Sequence, residues 1–152
     1  MERLLPDVVV YPGTTRVAEN AGCIVDTLAY LAALKASLAS SDVVKQVELV
    51  REYATADHGF LRARLILRND DFLEVAEYFQ VVGEQTQTVE YRYQWMGPDR
   101  QGLHKRWDNA KHHPELPNFP HHVHDGRTGQ VEPGRLLSIV DLVDWLEQEL
   151  RP

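Results

Sequence analysis

A chain of 152 residues, 43% of them hydrophobic, can bury one core and is short for two ordinary domains, so a single domain is expected over 1–152. Its net charge of −7 excludes indiscriminate nucleic-acid binding over the whole surface. With no apolar run long enough to span a bilayer and no secretory pattern in Met1-Glu-Arg-Leu-Leu, a soluble, cytoplasmic protein without a membrane partner is expected.

Residues 1–22 form an extension whose one strand pattern, Val8-Val-Val-Tyr11, is closed by the turn pair Pro12-Gly13. Cys23, the single cysteine, lies in a mostly apolar run and reads as a buried, inert thiol. From 24 to 38, Ile24, Leu28, Leu31, Leu34 and Leu38 recur at three and four, the spacing of a helix burying one stripe, and Ser40-Ser-Asp42 should end it. The period then changes to two. Val47 and Leu49 mark a short strand, and Phe60–Arg68 sets Leu61, Ala63, Leu65 and Leu67 against Arg62, Arg64 and Arg68. Phe72–Val82 follows the turn residues Asn69-Asp70-Asp71. After Gly83-Glu84, Thr88–Met96 alternates Val89, Tyr91, Tyr93 and Trp95 with Thr88, Glu90, Arg92 and Gln94. Gly97 to Gly102 returns the chain into Leu103–Trp107, and Leu136–Leu150 carries a second helical stripe.

Short turns join antiparallel neighbours, so the expected fold class is α+β: a two-layer domain with an antiparallel meander of four to five strands, covered by an N-terminal and a C-terminal helix. The polar sheet face would carry Arg62, Arg64, Glu90, Arg92, His104 and Arg106, which on its own reads as cross-strand charge pairing.

The segment 108–134 is different. Five of the seven histidines fall within 112–124, and residues 100–127 hold two more cations than acids on an otherwise acidic chain. Prolines at 114, 117 and 120 match the three-residue turn of polyproline II, which would hold His112 and His121 about 28 Å apart and prevent the two His-His pairs from sharing a metal. Imidazole titrates near neutral pH, so a metal-free reading has His112, His113, His121 and His122 as acid and base. In that reading Arg62, Arg64, Arg92, Arg106 and Lys111 hold phosphate, Tyr93 and Trp107 stack bases, and Asp108 and Asn109 orient a histidine or cap a turn. The alternative cofactor is a divalent metal on His122 and His124, which project to the same side of an extended chain. A purely structural reading uses Leu116 and Phe119 to dock a rigid loop on the sheet.

The run Arg106-Trp-Asp-Asn-Ala-Lys-His-His-Pro-Glu-Leu-Pro-Asn-Phe-Pro-His-His-Val-His124 resembles the signature of the TumE-type family of bacterial toxin-antitoxin toxins: (Trp or Tyr)-Asp-Asn-Ala-Pro-His-His-Pro, a short spacer, then Phe-Pro-His-His-x-His. Leu61-Arg-Ala-Arg-Leu65, Leu73 to Tyr78 and Tyr91 to Trp95 are similar to its strands, so the resemblance covers about 24–150; Lys111 departs from the usual proline. The resemblance implies a toxin neutralised by a cognate helix-turn-helix antitoxin. It points to Trp107, Asp108, Asn109, His112, His113, His121, His122 and His124, with Glu77 and Tyr93 behind them. The reaction expected is metal-independent RNA cleavage by the histidines. The alternatives are a non-enzymatic protein-binding module using the Pro/His loop and a metal-dependent hydrolase; a homodimer is compatible with the sequence.

Overall fold

The computed structural model describes residues 26–151. The expected strand at Val8–Tyr11, Cys23 and the first residues of the expected N-terminal helix lie outside the described residues. Among the described residues two helices, α1 (Thr27–Ser40) and α2 (Ile139–Leu150), accompany seven strands: β1 (Val44–Ala54), β2 (His58–Leu67), β3 (Phe72–Val82), β4 (Gln85–Met96), β5 (Leu103–Asp108), β6 (His122–Asp125) and β7 (Val131–Pro133). The strands form one sheet in chain order, every neighbouring pair antiparallel. Among the described residues no helix is long and apolar enough to cross a membrane.

Seven strands replace the expected four to five because β6 and β7 lie within the Pro/His segment. Four residues with one apolar member, Val123, carry too little alternation to declare a strand; β6 is a strand because it pairs with β5, Trp107 opposite Val123 and Asp108 opposite His122. Strand β1 is longer than its pattern suggested, since a register shift between Leu49 and Arg51 interrupts the alternation.

Helix α1 is capped by Asp26, whose side chain accepts from Leu28 N at 2.9 Å. Helix α2 begins at Ile139 rather than Leu136 because Ser138 and Asp141 form a reciprocal capping box. Leu34 and Leu38 of α1 and Leu142 and Leu146 of α2 share a core with Leu61, Ala63, Val75, Phe79 and Tyr93 of the sheet. Trp145 of α2 stands edge-on to Trp95 and Trp107 at 6.0 and 5.3 Å.

A carboxyl group sits inside this core. Glu77 is 0% exposed and accepts from Tyr30 Oη (2.5 Å), Thr88 Oγ1 (2.8 Å) and Ile139 N (2.8 Å), with Tyr93 Oη 3.3 Å away, joining α1, β3, β4 and α2. Burial pushes its carboxyl above the ordinary range, and these hydrogen bonds pull the other way. Glu77 is therefore a core tie, on the helix side of the sheet.

Where β5 and β6 separate, the chain passes itself closely at Gly126, whose N–H donates to His104 O at 2.9 Å. A Cβ there would lie 1.7 Å from Leu103 O. Gly126→Ala is expected to lower stability by about 1–3 kcal/mol through forced backbone displacement, read as a fall in melting temperature. An unchanged melting temperature would contradict this approach.

Candidate functional site

Both helices pack on one sheet face; among the described residues no helix covers the opposite, open face, and the 109–121 segment lies over its β5–β6 end. Strand pairing sets Arg92, Asp108 and His122 in one row across β4, β5 and β6, and Gln94, Arg106 and His124 in the next. Alternation puts these side chains on the open face, while Trp107 and Val123 face the helices.

His122 is 2% exposed. Its Nδ1 lies 2.9 Å from Pro120 O; a carbonyl only accepts, so Nδ1 carries the proton. Nε2 then holds the lone pair, 2.9 Å from Asp108 Oδ1 but out of line for a hydrogen bond, and it has no hydrogen-bond partner among the described residues. Asp108, itself buried, accepts from Ala110 N at 3.0 Å through Oδ1 and from Arg106 Nε at 3.4 Å through Oδ2. His124 Nε2 sits 3.2 Å from Arg106 Nη2 and 3.6 Å from Asp108 Oδ2.

The third histidine comes from the loop. Residues 109–121 do not run as a straight polyproline II segment: turns closed by His112 N to Ala110 O, Leu116 N to His113 O and His121 N to Asn118 O fold them back. Asn118, at φ 66, donates from Nδ2 to Gly134 O at 2.6 Å and pins the loop beside the end of β7. His113 thereby meets its ninth successor, His122, with ring centroids 4.9 Å apart, where the extended reading would separate residues at that spacing by about 28 Å. His113 lies 5.8 Å from His124, and His122 lies 4.9 Å from His124. One ring nitrogen from each of the three falls within 4.8 Å of the others, the one such metal-capable group found among the described residues.

The sequence matches the family model described as Toxin TumE over residues 33–150, from α1 through the end of α2. This chain belongs to that family. No curated protein and no solved structure matched it.

In this TumE-family toxin the histidines divide between faces. His113, His122 and His124 converge with Asp108 and Arg106. His121 instead points to the helix side, Nδ1 at 2.8 Å from Tyr91 Oη, whose own proton goes to Arg135 O at 3.0 Å. His112 is exposed at the rim of a groove of about 940 Å³ on the open face, lined also by Phe60, Tyr78, Arg92, Arg106 and Lys111. Arg62 and Arg64 are both drawn to Glu74, at 2.6 and 3.4 Å, as cross-strand pairing predicted. Arg92 is exposed beside Gln94 at 3.2 Å, and neither it nor Lys111 forms an ion pair among the described residues.

Several sequence-singled residues have other places. Tyr93 is fully buried, donating to Leu137 O at 2.9 Å, and Trp107 packs on Trp145, so neither can stack a base. Among the described residues Asn109 hydrogen-bonds no histidine; it accepts from Tyr91 N and donates to Val89 O, continuing the hold of β5 on β4. A register shift beside Leu103 takes His104 out of the Arg106 row, and its ring lies 4.8 Å from Trp95 and its Nε2 3.5 Å from Asp71. Besides Tyr91, whose ring is turned to His121, the groove is lined by Phe60 and Tyr78, which sequence reasoning passed over. Their signal was parity, since each alternates in step with Arg62 or Glu74 rather than with the apolar set.

Burial lowers the imidazole pKa of both His121 and His124, with His122 adding to the effect at His121 and Arg106 at His124. A depressed folded value means a contribution to stability that is present above the unfolded pKa, about 6.5, and lost as pH falls through the folded value. The toxin is expected to be less stable at pH 5.5 than at pH 7.5, and His121→Gln to narrow that difference. A gap of unchanged size in denaturant unfolding would contradict the assignment at His121.

Proposed function

We propose that this toxin cleaves RNA at the cluster of Asp108, His113, His122 and His124, and that a cognate antitoxin neutralises it. The observation that carries the reading is convergence: a buried carboxylate, three imidazoles and Arg106 meet beside a groove that adds Arg92, Lys111 and two aromatic rings. Cations there suit a phosphodiester backbone, and Phe60 and Tyr78 are flat surfaces for unpaired bases. The local cations also answer the acidic net charge, because binding is confined to one face. A helix-turn-helix antitoxin is the partner that the family resemblance implies.

Within the cluster, exposure separates roles. The side chains of His113 and His124 are 28% and 22% exposed and can meet a substrate; that of His122, at 1%, positions its neighbours. The two His-His pairs are thus not the working units, since His121 and His122 face opposite ways. A docking role for the Pro/His loop would rest on Phe119, 41% exposed, but it leaves the buried cluster without a purpose.

The test is incubation of purified, antitoxin-free toxin with total cellular RNA and mapping of the new ends. Wild type should cut in unpaired regions, and His124→Ala should cut at least about 100-fold more slowly. Intact RNA from a preparation that arrests growth in cells would overturn RNA as the target.

A further inference from the structure

We infer that His113, His122 and His124 bind one transition-metal dication of the zinc class. The inference deepens the reading of the same cluster but stands on imidazole geometry and does not require RNA to be the substrate. Strand alternation supplies His122 and His124, two residues apart on one face, and the folded loop supplies His113.

The decisive observation is the buried nitrogen of His122. With Nδ1–H held by Pro120 O at 2.9 Å, the lone pair is on Nε2, where nothing donates to it and the side chain is 1% exposed to water. Its nearest polar neighbour, Asp108 Oδ1 at 2.9 Å, is an acceptor as well. Two acceptors facing each other in a dry site repel; Arg106 reaches the far oxygen of Asp108, Oδ2, and leaves the His122 lone pair and Oδ1 facing each other with no donor to Nε2. A proton on Nε2 would not serve, because the N–H direction misses the carboxylate. A metal ion lying toward His113 and His124 takes the lone pair and offsets the Asp108 charge.

The surroundings fit. A backbone carbonyl fixing the remote N–H is how proteins set the tautomer of a metal-ligating imidazole. Glu115 stands 3.5 Å from His113 Nδ1 and favours the same orientation there, with Nε2 left for the ion. Ligands about 2.0–2.1 Å from a tetrahedral ion stand roughly 3.3 Å apart, so the observed 4.8 Å limit requires only a small closure by the two partly exposed rings. At His124, Arg106 now donates toward Nε2 from 3.2 Å, and the ion would turn that guanidinium fully to Asp108 Oδ2, already 3.4 Å from its Nε. An all-imidazole set selects zinc-class ions over Mg²⁺ or Ca²⁺, and three ligands leave a fourth position for water.

The test uses full-length toxin without a polyhistidine tag, stripped with chelator and titrated with Zn²⁺ or Mg²⁺ by calorimetry, with melting curves alongside. Wild type should take up one Zn²⁺ per chain with a rise in melting temperature, and Mg²⁺ should do neither. His113→Ala and His124→Ala should each weaken Zn²⁺ binding on the order of 100-fold while keeping the far-ultraviolet spectrum. His112→Ala and His121→Ala should bind as wild type does. Failure of stripped wild type to take up Zn²⁺, or equal uptake by a His113→Ala/His124→Ala double variant, would overturn the site. Because the titration involves no RNA, zinc bound with RNA left intact keeps the site and removes the RNA reading; RNA cut by a toxin that takes up no zinc does the reverse.

Discussion

Cells induced to make the His124→Ala variant should grow at the uninduced rate, while the wild type at equal soluble level arrests them. His124 is a partly exposed histidine of the cluster that meets two groove-lining residues: its Nε2 lies 3.2 Å from Arg106 Nη2 and 3.6 Å from Asp108 Oδ2, and its side chain is 22% exposed. On the proposed reading, truncation removes a group at the reacting centre, for which losses of about 10²–10⁴ in rate are typical. It removes little from the core, which the helix-side residues build, so the stability cost should stay near about 1 kcal/mol. His121→Ala is the matched control three residues earlier. Its ring lies on the opposite face against Tyr91, so arrest should persist. Arrest by His124→Ala equal to wild type would take the cluster out of the mechanism.

The largest effect on stability should come from Glu77. Glu77→Leu leaves Ile139 N–H at the start of α2 without its buried acceptor and takes the carboxylate away from Tyr30, Thr88 and Tyr93. Tyr30 and Thr88 retain each other at 3.0 Å, and Tyr93 retains Leu137 O at 2.9 Å. The expected loss is about 3 kcal/mol, or roughly 10 °C in melting temperature for a chain of this size. The isosteric Glu77→Gln tests the electrostatics. Burial raises the folded pKa of Glu77, so its favourable contribution is complete below the unfolded value of 4.5 and is lost as pH rises through the folded value. The advantage of wild type over Glu77→Gln should therefore be greatest in acid and shrink toward neutrality. An advantage independent of pH would mean that the carboxyl is not shifted.

Much of this fold was readable because its strands are half-buried. Leu61, Ala63, Leu65 and Leu67 against Arg62 and Arg64 announce β2, and the short turns announce its antiparallel neighbours. Strand β6 could not be read that way. Its outward residues are His122 and His124, its inward ones are Val123 and the charged Asp125, and its conformation is imposed by the β5 ladder. The site was legible in composition but not in assembly. The proline spacing describes a local preference, whereas the bend that brings His113 to His122 depends on Asn118 reaching Gly134, a contact between residues sixteen apart. For Tyr93 and Trp107 the sequence contained the answer: Tyr93 shares parity with Tyr91 and Trp95 in a strand whose other face is charged, which places it inside.

The central claim, RNA cleavage by a toxin through the Asp108, His113, His122 and His124 cluster, is tested most directly by sequencing RNA 5′ ends from cells within minutes of induction, wild type beside His124→Ala. The account predicts new ends at recurrent unpaired sites with the wild type, and their absence with the variant. Growth arrest by the wild type with no new RNA ends, or the same ends from both proteins, would contradict it.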